Sequence, residues 1–217
     1  MGMSNIYSSI FTRIRHAGKS PRRVWLTLDD GPDPINTEKI LKVLDRHRIK
    51  AAFFMIGEKV AAQPAVVQRV FDAGHRIGNH TFSHRRLTEL TAAEIRDEIE
   101  TTAKLISAFT RDEKIFRPPF GAIDQTVCAI ADDLGHRTVL WNVDPTDWDL
   151  QCQPKGWIDK ALHATHKREA SVILAHDDRR TTAENFDLFI RRLKKSGRIA
   201  FENPATLCAI AGQLNPD

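Results

Sequence analysis

Val24-Trp25-Leu26-Thr27-Leu28-Asp29-Asp30-Gly31-Pro32-Asp33-Pro34 begins as an apolar run of β type and ends in two adjacent carboxylates before a Gly-Pro turn. Side chains alternate faces along a strand, so neighbouring aspartates start out pointing apart. A break in the alternation at Gly31 and Pro32 brings both toward one cavity at the strand's end. Carboxylates so placed repel and raise each other's pKa unless a cation sits beside them. Taken alone, the stretch fits a surface turn with two solvated aspartates equally well, so its meaning depends on what surrounds it.

Working outward, strand and helix patterns alternate. A helix over 37–48 puts Ile40, Leu41 and Leu44 on one face, and 51–56 is a continuous apolar run, the mark of a buried strand. The helix over 58–73 contains Pro64 and is expected to break and restart there, with Gly74 ending it. Residues 76–80 read as a short strand. Thr91 and Glu94 form a capping box for a helix whose buried stripe is Ile95, Ile99 and Ile106. A strand at 114–117, a rigid Pro118-Pro119-Phe120-Gly121 turn, a helix over 124–134 and a strand over 138–143 follow. A looser stretch at 145–156 leads to a helix over 156–167 and a strand over 171–175. Thr181 and Glu184 make a second capping box for the helix carrying Phe186, Phe189, Ile190 and Leu193, and 198–201 is the last strand. Seven strands alternating with helices predict a parallel α/β architecture; periodicity alone leaves open sheet and closed barrel both standing.

Composition narrows the function. Of 217 residues, 41% are hydrophobic and 28% charged, as in an ordinary globular domain. No apolar run has the length of a membrane span, and no secretory signal is recognisable at the start. Cys128, Cys152 and Cys208 are odd in number and lack CxxC spacing, which suits a reducing compartment, and the cytoplasm is the expected location. The net charge of +4 is local: Arg13, Arg15, Lys19, Arg22 and Arg23 stand without an acid in the first 28 residues. The remainder is therefore near −1 (4 minus 5), and its aromatics are not interleaved with bases as a nucleic-acid groove requires. Ile6, Tyr7, Ile10, Phe11 and Ile14 recur at helical spacing in a basic arm, residues 1–23. Such a helix covers the end of its own domain or makes weak contact with a membrane surface, and its short stripe favours the former.

Polar clusters follow the strands, where barrels of this class keep their active sites. His80 and His84 at i, i+4 are spaced to grip one metal ion, although two surface histidines show the same spacing. Beside a free carboxylate they would fill one side of a catalytic metal and leave positions for water and substrate. Arg117 is either a surface residue at a rigid turn or the cation that orients one of the paired aspartates. His176 is either a half-buried structural histidine or a general acid whose pKa is raised by Asp147.

Five segments in order carry a resemblance: Thr27-Leu28-Asp29-Asp30-Gly31-Pro32-Asp33, His80-x-x-Ser83-His84, Arg117-Pro118-Pro119-Phe120-Gly121, Asp144-x-x-Asp147-Trp148 and Leu174-Ala175-His176-Asp177. They resemble the motifs of the polysaccharide deacetylase family, carbohydrate esterase family 4, also called the NodB-homology domain. The resemblance spans residues 24–207, leaving the arm 1–23 and a tail 208–217. It implies a single-domain distorted (β/α)7-type barrel and one divalent metal, most often zinc, with cobalt or nickel used by some members. It further implies Asp30, His80 and His84 as ligands, Asp29 as base, Arg117 as its orienting partner, and His176 as acid tuned by Asp147. Trp148 and Leu174 would wall the acetyl pocket, and the backbone N–H of Phe120 would face the oxyanion. The implied activity is metal-dependent N-deacetylation of a GlcNAc-containing oligo- or polysaccharide, such as a chitooligosaccharide. An O-acetyl esterase on an acetylated glycan and a silent glycan-binding domain are the alternatives. Two positions depart from the family's habit: Leu28 stands where Phe is usual, and Phe120 where Tyr is common.

Overall fold

The computed structural model describes residues 20–110 and 113–208; the basic arm up to residue 19 and nearly all of the tail lie outside the described residues. Among the described residues there are seven strands: β1 (Arg22–Asp29), β2 (Ala52–Met55), β3 (Arg76–Asn79), β4 (Lys114–Phe116), β5 (His136–Thr138), β6 (Ala170–His176) and β7 (Ile199–Phe201). All pair in parallel, in the order β5-β4-β3-β2-β1-β6. Since β6 runs along β1 from Arg23 to Asp29, β2 and β7 share the other edge, β7 against residues 22–24 and β2 against 27–29.

The helices between them are α1 (Asn36–His47), α2 (Gly57–Ala62), α3 (Pro64–Asp72), α4 (Ala92–Ile106), α5 (Gln125–Asp133), α6 (Gly156–His166) and α7 (Arg180–Lys195). Pro64 splits α2 from α3 as expected, taking the first helical position, where its missing N–H costs nothing. The Thr91–Glu94 capping box forms. The one expected at Thr181 does not: α7 begins a residue earlier, and Glu184 pairs with Arg180 at 2.7 Å instead.

The fold is a distorted barrel with two apolar layers, because alternate residues of each strand face opposite ways. Leu26 and Leu28 of β1 face outward into a core shared with α1, α6 and α7, including Ile40, Leu44, Trp157, Phe186 and Phe189. Leu28 is wholly buried there, so the departure from Phe is a core substitution. Trp25 faces inward with Ala52, Phe54, Ile115, Val139 and Val172. The same inward side carries Thr27 and Asp29, aligned with Leu174 and His176 of β6. The barrel's interior is thus apolar at one end and chemically armed at the carboxyl end.

Distortion lies in the seam between β5 and β6. The expected strand over 138–143 is displaced: β5 ends at Thr138, and only Val143 makes a bridge, to Ile173. Asn142 closes the rest of the gap with its side chain, accepting from Val172 N and donating to Ala170 O. The run is apolar enough to look like a strand, but it spends its pairing capacity on closing the seam.

Candidate active site

Asp29 is the last residue of β1 and is buried on the inner face. Arg117, immediately after β4, is completely buried and donates from Nη1 to Asp29 Oδ1 at 2.7 Å and to Thr27 Oγ1 at 2.8 Å. Its other nitrogens are held by Val139 O and Leu140 O, and its plane lies 4.1 Å from the Phe54 ring centroid. A buried carboxylate needs such a partner, since an unpaired one would be neutralised.

Asp30 leaves the strand with φ +70°, so the break in alternation lies at Asp30 itself, one residue before the expected Gly-Pro position. Its carbonyl accepts from Lys59 Nζ at 2.6 Å, and Lys59 in turn reaches Asp178 at 3.2 Å. Gly31 is required by the Asp177 carboxylate: a Cβ there would lie 2.3 Å from Asp177 Oδ2. Burial pushes the Asp177 carboxyl up to about 7, with Asp178 and Asp30 adding to it.

The turned Asp30 meets two imidazoles. His84 Nε2 is 3.1 Å and His80 Nε2 3.4 Å from Asp30 Oδ1. One ligand-type atom from each of Asp30, His80 and His84 lies within 4.8 Å of the others. His80 Nδ1 is 2.7 Å from Arg117 O; because a carbonyl only accepts, Nδ1 carries the proton and Nε2 keeps its lone pair. Burial disfavours the Asp30 carboxylate, but the close approach of the His80 and His84 rings outweighs it and holds the group well below the usual carboxylate range.

A divalent metal fits this donor set. Oδ1 of Asp30 is buried and accepts no hydrogen bond among the described residues, yet both imidazole nitrogens converge on it. Two nitrogens and one carboxylate oxygen, with one imidazole oriented by a backbone carbonyl, suit a divalent metal and leave positions for further ligands.

The loop bearing these histidines is held by residues with no assigned role in the sequence reading. Glu98 of α4 accepts from the backbone N–H groups of Phe82 and Ser83 at 2.8 Å each. Asn79 donates to Ile99 O and accepts from Thr81 N. A signal for Glu98 existed: an acid one position from Ile99 on the buried stripe of α4 needs a partner. Thr81 and His84 have φ of +65° and +59°, Phe120 +61° and Thr146 +54°. Left-handed backbone outside glycine costs about 1–2 kcal/mol per residue, and it concentrates in the loops around the triad.

Opposite the triad, His176 ends β6 level with Asp29. Its Nδ1 is 2.7 Å from Asp147 Oδ1, and its backbone N–H donates to Asp147 Oδ2 at 2.8 Å. Thr182 of α7 also donates to that oxygen, at 2.7 Å. Burial works against the imidazolium, but the Asp147 hydrogen bond and the charges of Asp147, Asp29 and Asp30 prevail and push it up to about 9. Leu174 is buried two residues before His176, on the same side of β6, and Trp148 is half exposed at the rim. Phe120 is 56% exposed, its ring 4.7 Å from that of His84. From Phe120 and Asp144 a cavity of about 750 Å³ runs along the seam past Trp141 toward the end of α6 at Lys167.

Fold and site together set a metal-type triad, a cation-held carboxylate and a carboxylate-held imidazole at the carboxyl end of one α/β barrel. The family model for polysaccharide deacetylase matches residues 16–139, and the chain belongs to that family. It is 33% identical over 180 residues to the peptidoglycan-N-acetylglucosamine deacetylase PgdA of Listeria monocytogenes, covering 82% of this chain and 37% of that protein. The chain thus spans little more than a third of that relative's length. To a chitooligosaccharide deacetylase of Bradyrhizobium sp. it is 36% identical over 160 residues, covering 72% of this chain and 71% of the relative. Among solved structures, BA3943 of Bacillus anthracis, described as a carbohydrate esterase family 4 pseudoenzyme, superposes with a TM-score of 0.75 at 30% identity. That superposition covers 87% of this chain and 66% of the other. Because this fold also serves a protein described as a pseudoenzyme, activity has to be argued from the residues present.

Proposed function

We propose that residues 24–207 form a metal-dependent N-deacetylase acting on a GlcNAc-containing oligo- or polysaccharide, with a chitooligosaccharide as the simplest substrate. The observation that supports it most is the different fate of two adjacent carboxylates: Asp29 on Arg117, Asp30 on two imidazoles. Asp30, His80 and His84 would hold the ion, which we take to be zinc, with cobalt or nickel as substitutes. When bound, the metal supplies Lewis-acid polarisation of the acetyl carbonyl and eases ionisation of water.

The remaining chemistry belongs to the chain. Arg117 occupies Oδ1 of Asp29, so Oδ2, 3.8 Å from His80 Nε2, accepts the proton of the attacking water. The backbone N–H of Phe120 donates to the developing oxyanion. Asp147 fixes Nδ1 of His176, so Nε2–H faces the cleft and protonates the departing sugar nitrogen. The C–N bond breaks, releasing acetate and a free amine. Leu174 and Trp148 bound the pocket for the acetyl methyl. The described cysteines are unpaired, which supports placing the protein in the cytoplasm. Among the described residues no helix is long and apolar enough to cross a membrane.

The test is acetate release from chitooligosaccharides with metal analysis of the same sample. Asp29→Asn should abolish turnover and keep its metal, whereas His80→Ala should lose both; equal metal loss in the two would reverse the assignment of base and ligand. Hydrolysis of acetylated xylan alone would make the protein an O-acetyl esterase.

A further inference from the structure

We propose that Glu98 is a positioning residue that preforms the metal-type site: it holds the His80–His84 loop in its ligating shape independently of the ion, and so governs metal affinity rather than the rate of the loaded site. The inference rests on the reading of Asp30, His80 and His84 as metal ligands and names what keeps the two histidines converged. The loop has no regular secondary structure, yet each peptide N–H from His80 to His84 has a partner in the protein. His80 N donates to Met55 O at 3.0 Å, Thr81 N to Asn79 Oδ1 at 2.9 Å, and His84 N to Thr81 Oγ1 at 3.2 Å. Between them, Phe82 N and Ser83 N both donate to Oε2 of Glu98 at 2.8 Å, and Ser83 Oγ donates to Oε1. The carbonyls of Thr81 and Phe82 accept from Gly57 N and Glu58 N at the start of α2. Protein groups alone therefore satisfy the loop's backbone, and the ion is not needed to complete it.

That shape is strained. Thr81 and His84 have φ of +65° and +59°, and a β-branched threonine is strongly disfavoured there. Such backbone persists only where its surroundings over-determine it. Glu98 bonds the two peptides that lie between these residues, so it grips the span over which the strain would relax. Its own place is fixed. It is 8% exposed, one turn after Ile95 and beside Ile99 on the buried side of α4. A buried carboxylate has to be compensated, and here three donors of the loop do it, so helix and loop depend on each other. With the carboxylate gone, the Phe82 and Ser83 N–H groups lose their acceptor and the loop is free to return toward ordinary backbone. The His84 ring, 3.1 Å from Asp30 Oδ1, would move with it.

The experiment compares the full chain metal-free and zinc-loaded. In metal-free wild type the Phe82 and Ser83 amides should already be as protected from hydrogen exchange as those of α4, with little gain on loading. Glu98→Met, which removes both acceptor oxygens at similar length, should lose that protection. It should also weaken zinc binding roughly 10–100-fold in competition with a chromophoric chelator. At saturating zinc its kcat on chitotetraose should lie within about twofold of wild type, because occupancy changes and chemistry does not. Glu98→Gln can keep its oxygen on the two peptides and turn its NH₂ to Ser83 Oγ, so it should recover most of the protection and the affinity. Asp97→Asn, exposed one residue away on the same helix, should match wild type. Equal losses in Glu98→Met and Glu98→Gln would assign the effect to charge and overturn the proposal. So would Phe82 and Ser83 amides that exchange freely in wild type until zinc binds, a result that needs no variant to fold. Wild type that binds zinc yet releases no acetate would sink the deacetylase reading alone and leave the affinity comparison standing.

Discussion

Replacing Asp147 by Asn tests the proposed proton donor, His176. Asp147 is fully buried and receives three donors, from His176 Nδ1, His176 N and Thr182 Oγ1. In the variant one carboxylate oxygen becomes an NH₂ group, which accepts nothing, so at least one buried donor is stranded at a cost of about 1–3 kcal/mol. The larger effect is on His176, whose pKa rises from 6.5 to about 9 in the intact site. That difference corresponds to about 3 kcal/mol favouring the imidazolium. Without the Asp147 hydrogen bond and charge, burial works against only the Asp29 and Asp30 charges, and the pKa falls back toward the ordinary value. Near pH 7.5, about 97% of His176 is protonated with a pKa of about 9, against about 9% with a pKa of 6.5. The basic limb of the kcat profile should therefore move about 2 units toward acid in Asp147→Asn relative to wild type, and an NMR titration of His176 should move with it. Stability follows the same sign. A histidine whose folded pKa exceeds its unfolded value stabilises fully below about pH 6.5, and that contribution is lost as pH rises through about 9. The variant should lack this alkaline loss. A variant that is merely slower, with its basic limb unmoved, would show that Asp147 does not tune the proton donor.

Lys59→Met should weaken metal binding about 10–100-fold, since the Asp30 carbonyl loses the cation that holds its left-handed turn, while the thermal midpoint of the metal-free protein changes little. Competition titration with a chromophoric chelator reads this, and an affinity within twofold of wild type would refute it. Gly31→Ala should destabilise the fold by about 1–3 kcal/mol, because the new Cβ overlaps the Asp177 carboxylate. Denaturant unfolding checks it, and pairing with Asp177→Ala should restore part of the loss; a neutral Gly31→Ala would mean the turn relaxes freely.

Why the site was more legible than the strand boundaries can be seen in individual residues. Asp30, His80, His84, Asp29, Arg117 and His176 are residues whose chemistry has few alternatives at the ends of apolar runs, so their order along the chain carried the assignment. The run at 138–143 misled because closure of a distorted barrel uses the same apolar residues as a strand, while beyond Thr138 its only β-bridge among the described residues is at Val143. Thr181 misled because a capping box was matched by spacing, whereas the neighbouring Thr182 is the one engaged, on Asp147. Glu98, Asn79 and Lys59 act through backbone groups, and nothing in a residue's type tells which distant peptide it will hold.

The opposite behaviour of Asp29 and Asp30 is the point on which fold and chemistry meet. Both are buried, both are acids, and they are adjacent in sequence. Strand β1 continues through Asp29, so the register with β6 and the reach of Arg117 settle its surroundings: one full cation, bonded at 2.7 Å. Asp30 leaves the register with φ +70°, and its carboxylate meets two imidazoles, with no arginine or lysine among the described residues nearer to it than Arg179 at 4.0 Å. A buried carboxylate whose near neighbours are imidazole nitrogens that give it no hydrogen bond is incompletely compensated, and a divalent ion bound by those same three groups is the compensation the geometry admits. The left-handed turn costs about 1–2 kcal/mol, and Lys59 and Asp177 hold it from either side. In the proposed mechanism a single backbone angle separates base from ligand, so the two positions should respond differently to substitution: Asp29 should govern rate, and Asp30 occupancy.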